Sequence, residues 1–97
     1  MRVCFKLYGV FRTAAGTNDI QLELPPSANT VKTAITELTS RPEYAGIKPL
    51  LFDGEMTDPR PNALIMISGR EIGTLGGLNT ALNESDELSL LPIAHGG

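Results

Sequence analysis

The C-terminal residues of the chain read Asp86-Glu87-Leu88-Ser89-Leu90-Leu91-Pro92-Ile93-Ala94-His95-Gly96-Gly97, an apolar stretch that runs into two glycines. In residues 87–91, apolar residues alternate with polar ones or follow each other directly, which predicts a last strand. Strand pairing should stop at Pro92 because proline lacks an N–H. The five residues 93–97 would then form a flexible tail, about 16 Å long when extended. Glycine has no Cβ, so a tip made of Gly96 and Gly97 can pass through a narrow channel of another protein.

The strand before this end is predicted at residues 63–68, a continuous apolar run with the sequence Ala-Leu-Ile-Met-Ile-Ser. Such a run is typical of an internal strand that is covered on both faces. A turn follows at residues 68–71, and Ile72 is expected to begin a short return strand. Residues 42–62 are irregular, with one possible helical turn near residues 43–45 and several Pro and Gly loop residues.

The first half of the chain predicts two strands and one helix. Residues 3–11 and 20–24 have partial period-2 alternation, and turn residues between them favour a hairpin. The helix is predicted from Thr30, a candidate N-cap, to the neighbourhood of Ser40. Thr33 stands where a capping box would have Glu, so no capping box is expected. The helix has one apolar stripe at i, i+3, i+4 and i+7, namely Val31, Ala34, Ile35 and Leu38.

These elements predict an α+β fold with a mixed sheet of four to five strands and one main helix packed across it. Each predicted strand has an apolar face, and the helix is the only cover available for the sheet. This element order is that of the β-grasp, or ubiquitin-like, arrangement. The chain should form one domain over residues 1–92, followed by the tail at 93–97.

The C-terminal sequence resembles the "GDE…PPVxGG" ending of the small subunit of molybdopterin synthase and is similar to the small archaeal modifier proteins. Ser85 stands where that ending usually has glycine, and Leu91-Pro92 stands for Pro-Pro. The resemblance implies that the first and last strands are parallel neighbours. It also implies that an ATP-dependent partner adenylates the carboxylate of Gly97, which then carries a thiocarboxylate or an isopeptide bond. Gly96 would keep the path to that carboxylate free of side chains.

Composition and motifs argue against other classes of protein. A net charge of −3 with interspersed charges does not favour a nucleic-acid surface. No apolar run approaches the length of a membrane span, and a charge interrupts the apolar N-terminus, so we expect a cytoplasmic protein without a signal peptide. No catalytic, metal-binding or nucleotide-binding motif is present, so no cofactor is expected and ATP would be bound by the partner. Cys4 is expected to be a small core residue, and the single histidine, His95, to be a spacer rather than an acid–base group.

The leading hypothesis is therefore a ubiquitin-like modifier and sulfur carrier that is itself not an enzyme. Its partners would be an adenylating enzyme and either lysines of target proteins or the large subunit of molybdopterin synthase. A weak candidate for the partner surface is the sheet face away from the helix, near Ile67, Ile72 and Leu91. Burial of these three residues in the core is an equally good interpretation.

Two alternatives remain at this stage. The chain could be a dedicated small subunit of molybdopterin synthase, which donates sulfur for molybdenum cofactor biosynthesis and never forms isopeptide bonds. It could also be a noncovalent β-grasp interaction module whose terminus is inert.

Overall fold

A computed structural model of the chain describes residues 1–93. The described residues form a five-stranded mixed sheet with helices packed on one face. The strands are β1 (Arg2–Leu7), β2 (Asp19–Glu23), β3 (Ala63–Ile67), β4 (Arg70–Glu71) and β5 (Glu87–Pro92). The α-helices are α1 (Gly9–Ala15), α2 (Val31–Ser40) and α3 (Lys48–Leu51). Short 3₁₀ helices span Pro42–Ile47, Ile72–Thr74 and Gly77–Asn79.

The strand order in the sheet is β2-β1-β5-β3-β4. The last strand, β5, lies in the centre, parallel to β1 and antiparallel to β3. The β1–β2 and β3–β4 pairs are antiparallel. This topology confirms the predicted β-grasp fold and the parallel pairing of the first and last strands.

The main helix, α2, begins and ends where the apolar stripe predicts. Its buried residues include all four members of that stripe. The predicted absence of a capping box is wrong, because the Thr33 side chain replaces Glu at the third helical position. The Thr33 N–H donates to Thr30 Oγ1 at 3.2 Å, and the Thr30 N–H donates to Thr33 Oγ1 at 3.0 Å. The Thr33 hydroxyl can take the place of Glu because its oxygen, like a carboxylate oxygen, accepts a hydrogen bond from the backbone.

The segment after β1 corrects the N-terminal prediction. Residues 9–11, expected to continue the first strand, begin helix α1, which buries Phe11 and ends at the left-handed residue Gly16 (φ 76°). The N–H of Gly16 donates to the carbonyl oxygen of Arg12 at 3.0 Å, the usual glycine C-cap. The predicted hairpin of β1 and β2 therefore forms, but its strands are joined through a helix.

Three further expectations are wrong. The internal strand β3 is covered on one face only, because Leu64 is 38% exposed. Ile72 begins a 3₁₀ helix rather than a return strand, since β4 is already complete at Glu71. Cys4 is half-buried on the outer sheet face and not in the core, because the alternation of β1 points Val3 and Phe5 inward.

The core lies between the inner face of the sheet and the helices. Its largest members with less than 2% exposure come from every layer of the fold: Phe5, Leu7, Phe11, Ile35, Leu38, Ile47, Leu51, Ile65, Ile72, Leu88 and Leu90. Within residues 1–93, no helix is both long and apolar enough to cross a membrane.

Candidate functional site

The candidate site is the C-terminal end of β5, where the chain leaves the sheet. The register places Pro92 opposite Ala63, so pairing continues to Pro92, one residue beyond the predicted strand. The Ile93 N–H then donates to the carbonyl oxygen of Asn62 at 3.1 Å. Residues 94–97, which include the predicted reactive Gly97, the threading Gly96 and the spacer His95, lie outside the described residues.

The backbone at this exit is held by close packing. Pro92 lies directly against Gly9, where a Cβ would stand only 2.7 Å from Pro92 Cγ. Gly9 also has a φ of +55°, a conformation that glycine adopts without strain. On the other side, the Asn62 amide donates to the carbonyl oxygen of Leu51 at 3.0 Å and so joins the exit to α3. The positions of Pro92 and Ile93 are thus set by contacts that involve α1 and α3.

A cleft of about 280 Å³ adjoins this exit. Six of its eight lining residues are apolar and come from α1, α3 and the end of β5, and two are polar: Val10, Phe11, Pro49, Leu50, Pro92 and Ile93, with Asp53 and Asn62. We call it the tail-root cleft. No local sequence pattern indicates this cleft, because the residues that form it lie far apart along the chain.

The predicted partner surface is only partly where it was expected. Ile67 is 8% exposed and Ile72 fully buried, so both belong to the core and not to the outer face. Leu91 does lie on the outer face, half-buried, opposite Leu64 in the β3–β5 register. Met66 is the next outward residue of β3, so the outer face has a small apolar strip between charged strands. A role for Leu91 in partner binding stays a prediction.

Charged and polar groups cluster on the outer face of β1 and β2, around Asp19. Lys6 Nζ donates to Asp19 Oδ2 at 2.7 Å, and Cys4 Sγ donates to Oδ1 at 3.1 Å. Partial burial, followed by the hydrogen bond to Asp19, raises the pKa of the Cys4 thiol to about 11. The hydrogen bond from Lys6 lowers the pKa of Asp19 and raises that of Lys6. A protonated thiol is a poor nucleophile, so this cluster does not provide an activated cysteine.

A larger cleft, about 430 Å³, lies on the helical side of the molecule between α2 and residues 48–59. Its lining includes Lys32 and Lys48 but no carboxylate, histidine or cysteine, so it lacks a general acid–base pair. Within residues 1–93, no group of three or more His, Cys, Asp or Glu side chains could hold a metal ion.

Comparisons with known proteins agree with this arrangement. Small archaeal modifier protein 3 of Haloferax volcanii is 31% identical to this chain over 98 residues, which cover 100% of both proteins. The chain belongs to the small archaeal modifier proteins. The solution structure of small archaeal modifier protein 1 from Methanosarcina acetivorans is 32% identical, with a TM-score of 0.81 over 99% of this chain and 96% of that one.

A chain of the BexX/CysO complex from Amycolatopsis orientalis is 25% identical, with a TM-score of 0.74 over 98% of this chain and 99% of that one. No family model matches the sequence. As a member of the small archaeal modifier proteins, the chain is a ubiquitin-like modifier and sulfur carrier, a class of proteins that are not enzymes.

Proposed function

We propose that the carboxylate of Gly97 is the reactive group of this modifier and that an ATP-dependent adenylating enzyme activates it. The carboxylate oxygen attacks the α-phosphorus of ATP and releases pyrophosphate, which leaves an acyl-adenylate at Gly97. The amine of a target lysine then displaces AMP and forms an isopeptide bond. A sulfide equivalent that displaces AMP instead leaves a thiocarboxylate, which later donates its sulfur.

One observation carries this proposal: a small archaeal modifier protein matches this chain over its whole length, and residues 96 and 97 are both glycine. The fixed exit at Pro92 and Ile93 supports it, because the tail starts from a rigid point. Gly97 lies four residues beyond Ile93, so its carboxylate can reach at most about 14 Å from the domain. That reach suits a terminus that enters a partner's active site while the domain stays outside.

The partners follow from the same chemistry. The activating enzyme binds ATP, so the modifier itself needs no cofactor. The acceptor is either a set of lysines on target proteins or a sulfur-accepting enzyme such as the large subunit of molybdopterin synthase. The relative from Amycolatopsis orientalis was crystallised as a two-protein complex, which supports a partner-dependent function.

The test is the mass of the protein and of its conjugates, recovered from the cells that make it. Glu87 is the last glutamate of the chain, so a protease that cleaves after glutamate leaves residues 88–97 on any modified lysine. Conjugates on several unrelated proteins would establish the modifier function. Replacement of one oxygen by sulfur in the intact protein would establish the carrier function.

Two variants complete this experiment. Deletion of Gly96 and Gly97 should abolish both products, whereas His95→Ala, which keeps both glycines, should retain them. Thiocarboxylate without any conjugates would favour the dedicated molybdopterin synthase subunit. An unmodified terminus without conjugates, under conditions that demand sulfur transfer, would contradict the proposal and leave the noncovalent module.

A further inference from the structure

Exposed apolar side chains concentrate at the tail-root cleft. Five large hydrophobic residues are exposed within residues 1–93, and three of them line this one cleft. Val10 is 52% exposed, Ile93 42% and Leu50 37%. Apolar groups that gather at one place on a surface indicate a contact with another molecule.

The cleft is also preformed. Its wall at Pro92 packs on the backbone of Gly9, and its floor includes the buried ring of Phe11. The hydrogen bonds of Asn62 tie Ile93 to the carbonyl group of Leu51. Because these contacts fix the cleft, binding there would require little ordering of the modifier, which lowers the entropic cost of association.

We propose that the tail-root cleft docks the enzyme that adenylates Gly97. This inference rests on the proposed function. An enzyme that holds the carboxylate of Gly97 must come within about 14 Å of Ile93, the maximum reach of four residues. A protein–protein interface of ordinary size covers about 800 Å² on each partner, a patch of about 16 Å radius. The surface around Ile93 therefore falls within the contact area of such an enzyme.

The lining of the cleft defines the chemistry of the partner surface. An apolar side chain of the enzyme would fill the space between Val10 and Leu50. Asp53 is one of the lining residues and forms no ion pair within residues 1–93. A Lys or Arg beside the apolar side chain would meet this carboxylate, and such rim charges mainly favour encounter and orientation.

The test is the steady-state rate of ATP–pyrophosphate exchange by the purified adenylating enzyme at varied concentrations of the intact modifier. Val10→Asp and Leu50→Asp should each raise KM by about tenfold or more, while kcat changes little because the tail is unaltered. The milder variants Val10→Ser and Leu50→Ser, which keep the sites neutral, should raise KM by about threefold or more. Urea unfolding of each variant shows that the domain is folded.

A matched pair of substitutions in one loop tests the role of the Asp53 charge. Asp53→Lys should raise KM several-fold, and more at low salt than at high salt, because it opposes the expected cation. Glu55→Lys makes the same change of charge two residues away, outside the cleft, and should leave KM within about twofold of the wild type. Equal effects of the two variants would overturn the assignment of a cation to the partner surface.

The docking proposal and the proposed function fail in different ways. Exchange by the wild type together with unchanged KM in the Val10 and Leu50 variants would overturn the docking site alone. A lower KM in these variants would also overturn it, in favour of the modifier's own tail occupying the cleft. Absence of exchange with the wild type, when the same enzyme is active on another modifier, would instead contradict adenylation of this chain.

Discussion

At the scale of single residues, partial burial and the Asp19 carboxylate together keep the only cysteine, Cys4, protonated. Its Oδ1 atom accepts from Cys4 Sγ, and its Oδ2 atom accepts from Lys6 Nζ. The thiol, with a pKa of about 11, stays almost fully protonated at neutral pH. If Gly97 carries the sulfur, as proposed above, an unreactive Cys4 would not compete for sulfur or for the acyl group.

Asp19→Asn should make Cys4 more reactive. Removal of the negative charge lowers the pKa of the thiol, although partial burial keeps it above the ordinary value. Lowering that pKa by about one unit would increase the thiolate fraction tenfold, and the accompanying loss of nucleophilicity would leave a rate about threefold higher. The measurement is the rate of Cys4 alkylation between pH 7 and 10. Glu23→Gln, a neutralised carboxylate on the same strand, is the control, and equal rates in both variants would contradict the role of Asp19.

At the scale of elements, α1 begins at one glycine with positive φ, Gly9, and is capped by another, Gly16, and the two have different surroundings. A Cβ at Gly9 (φ +55°) would stand 2.7 Å from Pro92 Cγ, whereas a Cβ at Gly16 (φ +76°) would meet nothing within 4 Å. Glycine is therefore required at position 9 both by the positive φ and by the lack of room for a Cβ. At position 16 it is required by the positive φ alone. Gly9 is also the contact that sets the exit of the tail.

Substitution of Gly9 and of Gly16 by alanine should separate the cost of the positive φ from the cost of the contact with Pro92. Gly16→Ala should lower the free energy of unfolding by about 1 kcal/mol, the cost of a left-handed non-glycine residue. Gly9→Ala should lower it by about 2–4 kcal/mol, because overpacking against the rigid proline ring is added. Urea unfolding monitored by circular dichroism measures both values. A loss for Gly9→Ala no larger than that for Gly16→Ala would show that Pro92 moves aside without cost.

The same helix shows why some elements could not be predicted from the sequence. α2 and the strands β1, β2, β3 and β5 were predicted because an apolar stripe or an apolar or alternating run identifies them locally, whereas β4 was expected to be a turn. α1 has only seven residues, Gly9–Ala15, and over two turns the helical and strand periods are hard to distinguish. Its residues Val10 and Phe11 also favour strands, and only the packing of Phe11 in the core decides between the two structures.

Some parts of the candidate site could likewise be predicted from the sequence, and others could not. The glycine tail and the parallel β1–β5 pair follow from the sequence and its resemblance to a known family. The alternation of residues in the first strand, with Val3 and Phe5 pointing inward, was a sequence signal that could have predicted Cys4 on the outer face. The burial of Ile67 depends on its register opposite Leu88, which only long-range pairing fixes. The tail-root cleft joins segments around residues 10, 50 and 93, so no local pattern could indicate it.

At the scale of the whole molecule, β5 is the strand that joins the two halves of the sheet. β5 separates β1–β2 from β3–β4, so without it the sheet divides into two hairpins. It also contributes Leu88 and Leu90, both fully buried, to the core. A two-stranded hairpin is at best marginally stable in water, so the domain depends on this strand.

Two truncations should separate the contribution of β5 to stability from that of the residues after Ile93. A chain that ends at Asp86 should lack a cooperative unfolding transition, because loss of each buried leucine alone costs about 2–5 kcal/mol out of a total stability of about 5–15 kcal/mol. A chain that ends at Ile93 retains every contact of the domain described above and should unfold within about 0.5 kcal/mol of the full-length protein. Circular dichroism and urea titration of both chains make the comparison. A loss above about 1 kcal/mol in the longer truncation would mean that the tail stabilises the domain, so that each modification of Gly97 would also change the stability of the fold.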